Sequence, residues 1–234
     1  MKKLLSKRIR SIRKKINTNK FYNIYDAISI LKECCSCKFI ESVEVSVNLN
    51  MDIKKSEKSI IGYSVLPHGI GRDIIVAVFA DKEDALLAKS CGANYVGMYD
   101  LADKIKTKRF NFDVVISAPS SMFLVNTIEN ILISRCLMPS ISFGTISSDI
   151  EKSVKIAKSG QIIYRNDKYG IVHSVIGKVD FPNDHLEENL NVFIGSLKKL
   201  KYIPYGVNNS FIKKITLSTT MGGGIMIDQY TLQV

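Results

Sequence analysis

A chain of 234 residues with 46% hydrophobic and 24% charged side chains is long enough for one large core or two smaller ones, in the proportions of a soluble globular protein. No apolar run has the length that crosses a bilayer, and the basic start MKKLLSKRIRSIRKK leads into no apolar stretch. Neither a membrane partner nor a signal peptide is expected. The net charge of +11 is uneven: residues 1–67 hold 14 Lys/Arg against 6 Asp/Glu, residues 68–158 hold 11 against 10, and residues 159–234 hold 8 against 6. A surplus gathered in the two ends favours a polyanionic partner, because neutralised phosphates release condensed counterions. A merely solvated surface needs no such split.

In chain order, helical periodicity runs through Leu4–Ile16 and again through Tyr25–Cys35. Five cysteines follow no even framework, and CCSC (Cys34, Cys35, Cys37) lacks zinc spacing, so reduced thiols at a helix end are expected, with no metal and no cofactor. VEVSVNLN alternates, with Val43, Val45, Val47 and Leu49 on one face, and the apolar stretch SIIGYSVL ends at Pro67. RDIIVAVFA is then a continuous β-branched run, the pattern of a strand covered on both faces. A helix DKEDALLAKSCGA stops near Gly92; a strand at Tyr95–Gly97, a helix DLADKIKTK, a strand FDVVISAP and a helix from Ser120 to Ile133 complete a layered, parallel α/β pattern. From Gly160 the style changes again. GQIIYRNDKYGIVHSVIGKVDF reads as a hairpin turning at Asn166–Gly170. A helix follows, capped by Asn183 or Asp184, with Leu186, Leu190, Phe193, Ile194 and Leu197 on one face. The strand SFIKKITL then enters LSTTMGGGIMID. The expected architecture is an α+β domain built from both termini (1–67 with 160–234), carrying an inserted, Rossmann-like three-layer α/β domain at 68–159. Pro67, Gly69, Gly71 and Gly160 stand at the crossings as a flexible hinge.

No catalytic group is legible. HGIGRD precedes a strand, whereas a dinucleotide fingerprint follows one, and it lacks the Lys-Ser/Thr of a phosphate loop. His68, His173 and His185 sit in separate elements, and neither G-x-S-x-G nor HExxH occurs. A nucleotide-binding enzyme built on the middle domain is the competing reading, and it would need a phosphate loop that this chain lacks. Arg165, Lys168, His173 and Lys178 gather around the expected hairpin, although ordinary hairpins also carry charged outer faces. Lys38 and Phe39 stand before the first strand with Glu41; an exposed Phe can stack on a base, while a lone Phe is more often core. Ser218, Thr219 and Thr220 offer hydroxyls to ribose or phosphate, Met221 an adaptable apolar contact, and Gly222–Gly224 a backbone open to close approach; a plain glycine turn is the default.

Taken in order, KFIESVEVSVNLNMD, VLPHGIGRDIIVAVF, GANYVGMYDLADKI, FDVVISAP, YRNDKYGIVHSVIGKVDF and LSTTMGGG closely resemble the bacterial large-subunit ribosomal protein L-one family, the proteins of the ribosome's mobile side stalk. The resemblance implies a cytoplasmic protein, monomeric when free, whose first domain binds a helical junction of large-subunit rRNA. It also implies repression of its own operon mRNA and a second domain associated with exit-site tRNA. The family's RNA-contacting positions fall on Phe39, Glu41, Lys168, His173, Thr219, Thr220, Met221 and Gly222. One stretch departs: the family reads like LGPRGLMPNPK where this chain has LISRCLMPSIS, Leu132–Ser142, which leads one to expect an altered loop there.

Overall fold

A computed structural model describes residues 6–17, 20–50, 60–107, 111–199 and 211–232. In chain order the elements are α1 Lys7–Lys15, β1 Phe21–Tyr22, α2 Ile24–Cys34, β2 Ser42–Leu49, β3 Ile61–Val65, β4 Val76–Phe79, α3 Lys82–Ser90, β5 Tyr95–Gly97 and α4 Tyr99–Lys106. There follow β6 Val114–Ser117, α5 Met122–Thr127, α6 Glu129–Ser134, α7 Ile150–Lys158, β7 Gln161–Arg165, β8 Ile171–Lys178, α8 Asn183–Lys199, β9 Ile212–Thr219 and β10 Ile225–Ile227. Two compact units result: Met1–Gly71 with Ile162–Val234, and Arg72–Gln161.

The first unit is organised by a five-stranded sheet in the order β1-β10-β9-β2-β8. β2 sits between β9 and β8, antiparallel to both. Its alternation decides which face is buried: Val43, Val45, Val47 and Leu49 turn inward onto Ile28 and Leu31 of α2 and onto the α8 stripe Leu186, Leu190, Phe193, Ile194 and Leu197. Asn183 opens α8 and its amide donates to Ser29 Oγ at 3.2 Å, tying α8 to α2.

The expected hairpin over 160–181 is not a ladder. The turn forms as its residues dictate: the Asp167 carboxylate accepts from Tyr169 N and Ile171 N, both at 2.8 Å, and Gly170 takes φ +75°. Beyond one bridge, Asn166 to Val172, the strands part, β7 to β3 and β8 to β2. α8 packs against both β3 and β8, so its bulk separates the two ladders. β7 also turns Tyr164 into the core, edge-on to Phe193 at 5.4 Å.

The segment expected as a loose hinge is fastened at its start. The amide of fully buried Asn189 accepts from His68 N (3.1 Å) and donates to Gly69 O (3.1 Å) and Ile176 O (2.8 Å). The His68 ring stacks on His185 at 3.8 Å. Gly71 has φ +80° and no room for a side chain, since a Cβ would stand 2.7 Å from Lys178 Cγ.

The second unit holds a three-stranded parallel sheet, β5-β4-β6, whose central strand is buried throughout. Leu101 and Ile105 of α4, Val125 of α5 and Leu132 of α6 share one core with Phe79 and Val115, while α3 packs with α7. The single helix expected over Ser120–Ile133 is broken at Ile128 (φ −114°, ψ 13°). There the Thr127 hydroxyl donates to Leu124 O at 2.7 Å and competes for a helical carbonyl.

The departing stretch begins at the end of α6. Cys136 N donates to Ile133 O (2.9 Å) and Leu137 N to Leu132 O (2.9 Å), the paired bonds of a Schellman close. That close needs a left-handed residue, and Cys136, where the resembling family carries glycine, supplies it at φ +57°. An L-residue there costs about 1–2 kcal/mol. Cys136→Gly should therefore raise the free energy of unfolding by about 1 kcal/mol, net of the extra unfolded-state freedom of glycine. Denaturant titration checks it, and an unchanged or lowered midpoint would remove the strain argument.

Candidate nucleic-acid interface

Most of the expected site residues meet at one end of the five-stranded sheet. β2 starts there and β9 ends there, with Val43 opposite Thr219 and Glu44 opposite Ser218. Past the ladder, Thr220 N donates to Ser42 O (3.1 Å) and Ser42 N donates to Thr220 Oγ1 (3.0 Å). Lys178, from β8, donates to Ser42 Oγ at 2.8 Å. Gly222 N donates to Thr219 O at 3.0 Å and closes the turn.

Glu41 organises this end. The residue is 3% exposed, and its carboxylate accepts from Met221 N at 3.0 Å. Burial by itself would raise its pKa, but the Met221 amide, the Thr219 hydroxyl, the Cys37 thiol and the Arg8 guanidinium together hold it below the usual carboxylate value. Arg8 also donates to Cys37 Sγ at 3.3 Å. Thr219 is equally buried; its Oγ1 faces the Glu41 carboxylate and the Cys35 thiol without a partner at full hydrogen-bond geometry among the described residues. Glu41 and Thr219 thus shape the surface from beneath it. The exposed groups at this end include Lys38, Phe39 (54% exposed), Ile40 (57%), Thr220 and Met221 (45%).

The glycines have a different role from the one their sequence suggests. A Cβ on Gly222 would lie 2.2 Å from Thr219 Oγ1, one on Gly223 3.0 Å from Ile12 Cγ2, and one on Gly224 3.0 Å from Thr216 Cγ2. The missing side chains make room for the protein's own hydroxyl, its α1 helix and its β9 strand, which pack the turn rigidly.

From this end a polar face extends along the sheet. The outward positions of β2, Ser42, Glu44, Ser46 and Asn48, lie between Lys178, Val175 and His173 of β8 and Ser218, Thr216 and Lys214 of β9. His173 Nδ1 and Ser46 Oγ lie 3.0 Å apart. Lys168 and Arg165 are not part of the cluster. Lys168 lies in the turn beyond Ile171, which pairs with Asn48, so it stands at the opposite end of β2, about 20 Å away at ~3.3 Å per residue. Arg165 belongs to β7, in the other sheet. Sequence reasoning passed over Ser42, Ser46 and Thr216, although the outward half of the SVEVSVNL alternation could have signalled the first two. Nothing local to Arg8 or Cys37 could have placed them beside Glu41.

The pattern of the Ribosomal protein L1p/L10e family matches residues 31–223, from α2 through the glycine turn. The chain belongs to this family. It is a family of structural ribosomal proteins, not of enzymes. The chain is 49% identical over 229 residues to the Large ribosomal subunit protein uL1 of Shewanella baltica (strain OS185), covering 98% of this chain and 97% of that protein. It is 48% identical over 228 residues to the Large ribosomal subunit protein uL1 of Vibrio vulnificus (strain YJ016), covering 97% of each. Among the described residues no helix is long and apolar enough to cross a membrane, and no cluster of His, Cys, Asp or Glu is arranged to hold a metal ion.

Proposed function

We propose that this member of the L1p/L10e family is a structural constituent of the large ribosomal subunit and binds large-subunit rRNA in the mobile side stalk. The observation that supports this most is the Glu41-clamped turn. It presents Thr220, Met221 and the nearby Phe39 as a stiff edge beside the hydroxyl, imidazole and lysine groups of the sheet. Such an edge suits a fixed RNA shape, read through 2′-hydroxyls, phosphates and an unstacked base. In this reading Lys38, Phe39, His173, Lys178, Ser218, Thr220 and Met221 contact RNA, while Glu41, Thr219 and Gly222 position the turn. Arg165 and Lys168 meet a more distant part of the same RNA. The unit built from both termini binds RNA, the inserted unit is a Rossmann-like three-layer domain, and the chain crosses between them next to Pro67, Gly69, Gly71 and Gly160. The middle domain helps release exit-site tRNA, and the RNA site also binds the protein's own operon mRNA and represses its translation.

Filter-binding titration of the full chain with the side-stalk junction RNA, beside an unrelated hairpin of equal length and at two salt concentrations, tests the RNA site. Tight, salt-dependent binding to the junction alone is expected; equal, weak binding to both RNAs overturns it. Met221→Ala should weaken junction binding about tenfold, within the ~1–3 kcal/mol of one specific contact, with an unchanged unfolding midpoint. The share of the protein that sediments with large subunits separates the structural role from that of a free repressor.

A further inference from the structure

We propose that the cleft between α1 and the end of α2 is a second RNA pocket, seating one ribose-phosphate of the bound RNA between Arg8 and Lys15. This rests on the RNA reading of the first unit and extends it to an element that the matched family pattern, which starts at residue 31, does not include.

α1 reads KRIRSIRKK, basic at six of nine positions and with no acid in its first turn. Its apolar side seats this charged helix: Ile12 and Ile16 are buried, and both lie against the position a Cβ would take on Gly223. The helix therefore rests on the glycine turn, and the cleft beside it is fixed relative to the RNA edge. The cleft encloses about 310 Å³, at the lower end of the sizes that hold small ligands. Arg8, Ser11 and Lys15 line it from α1 and Glu33 and Ser36 from the α2 side, over a floor of Ile12 and Cys34.

Among the described residues neither cation has a carboxylate oxygen nearer than 4.0 Å, although Arg8 also lies in the field of the buried Glu41 carboxylate. Arg8 reaches the Cys37 thiol at 3.3 Å, and a thiol is a poor acceptor that leaves most of the guanidinium's donors available. Lys15 meets Glu33 O at 3.4 Å and Glu33 Oε2 at 4.0 Å, with the two side chains 49% and 68% exposed. A pair so exposed contributes little. A phosphodiester offers charged oxygens to both cations at once, and the Ser11 and Ser36 hydroxyls stand beside them. The lone acid has a use too: Glu33 can accept from a ribose 2′-hydroxyl, a donor that only RNA supplies. The cleft is also joined to the proposed site, since Arg8, Cys37, Glu41 and Met221 form one chain of contacts.

The test is filter binding of the full chain and of Arg8→Gln, Lys15→Gln and the double variant to the junction RNA across a salt series. Each single change should lower the salt slope by about 0.7–0.9, and the double variant should lose about twice that. Arg8→Lys should keep the slope. Lys15→Gln is the decisive single variant, because Lys15 touches neither Cys37 nor Glu41, so its slope cannot change through the glycine turn. Slopes equal to the parent's in both single variants and the double overturn the pocket while leaving the RNA site standing. A parent chain that fails to prefer the junction over the hairpin overturns both. Adenosine monophosphate serves as a second probe: Arg8-dependent binding of it that does not compete with the junction RNA would reassign the cleft to a free nucleotide and overturn the RNA assignment.

Discussion

Gly222→Ala should weaken junction-RNA binding at least 100-fold, about 2.7 kcal/mol, and destabilise the first unit by about 1–3 kcal/mol. The new methyl would stand 2.2 Å from Thr219 Oγ1, far inside contact distance. Thr219 cannot step aside cheaply, because it is β-branched and buried, so every other χ1 well must move its hydroxyl and methyl into closely packed surroundings. The strain must therefore open the bond from Gly222 N to Thr219 O and displace Met221 from Glu41. The double variant Gly222→Ala/Thr219→Ala removes the colliding oxygen, so it should recover much of both losses. Binding and thermal unfolding of the two variants decide the matter. Equal defects in single and double variants would show that the steric account of the turn is wrong.

Glu41→Ala should cost about 2–3 kcal/mol of stability and lower RNA affinity in step, since it strands the Met221 amide and leaves Arg8 and Cys37 without their carboxylate. Glu41→Gln keeps an acceptor for Met221 N and should cost less at neutral pH. The two also differ from the parent in pH dependence. The folded-state pKa of Glu41 lies below its ordinary value, so its stabilisation is complete above the unfolded value of about 4.3 and fades as the pH falls through the folded one. The parent's advantage over Glu41→Gln should accordingly be constant at neutral pH and shrink in acid. Denaturant midpoints from about pH 7 to pH 3 measure it, and a gap that widened in acid would mean that the carboxylate is not stabilised by its burial site.

How far the sequence reached depends on whether a feature is local. The period of two in VEVSVNLN and the stripe Leu186 to Leu197 each name their own buried face, because side-chain direction follows from backbone geometry within one element. The turn at Asn166–Gly170 was readable for the same reason. The pairing of its flanking strands was not, because alternation says that a strand has a partner but not which one, and α8 settled it by packing between the two. The triple glycine announced a special backbone, yet its space proved to be filled by Thr219, Ile12 and Thr216.

By itself, then, the sequence determined the elements, their buried faces, the basic ends and, through ordered motifs, the family. Only the tertiary structure decided that Glu41 is a buried clamp, that Lys168 and Arg165 stand away from the turn, and that α1 frames a basic cleft beside it. The contact that builds the site joins Met221 to a residue 180 positions earlier. No propensity or periodicity extends that far along a chain. Such a contact exists only once β2 and β9 have paired and brought their ends together.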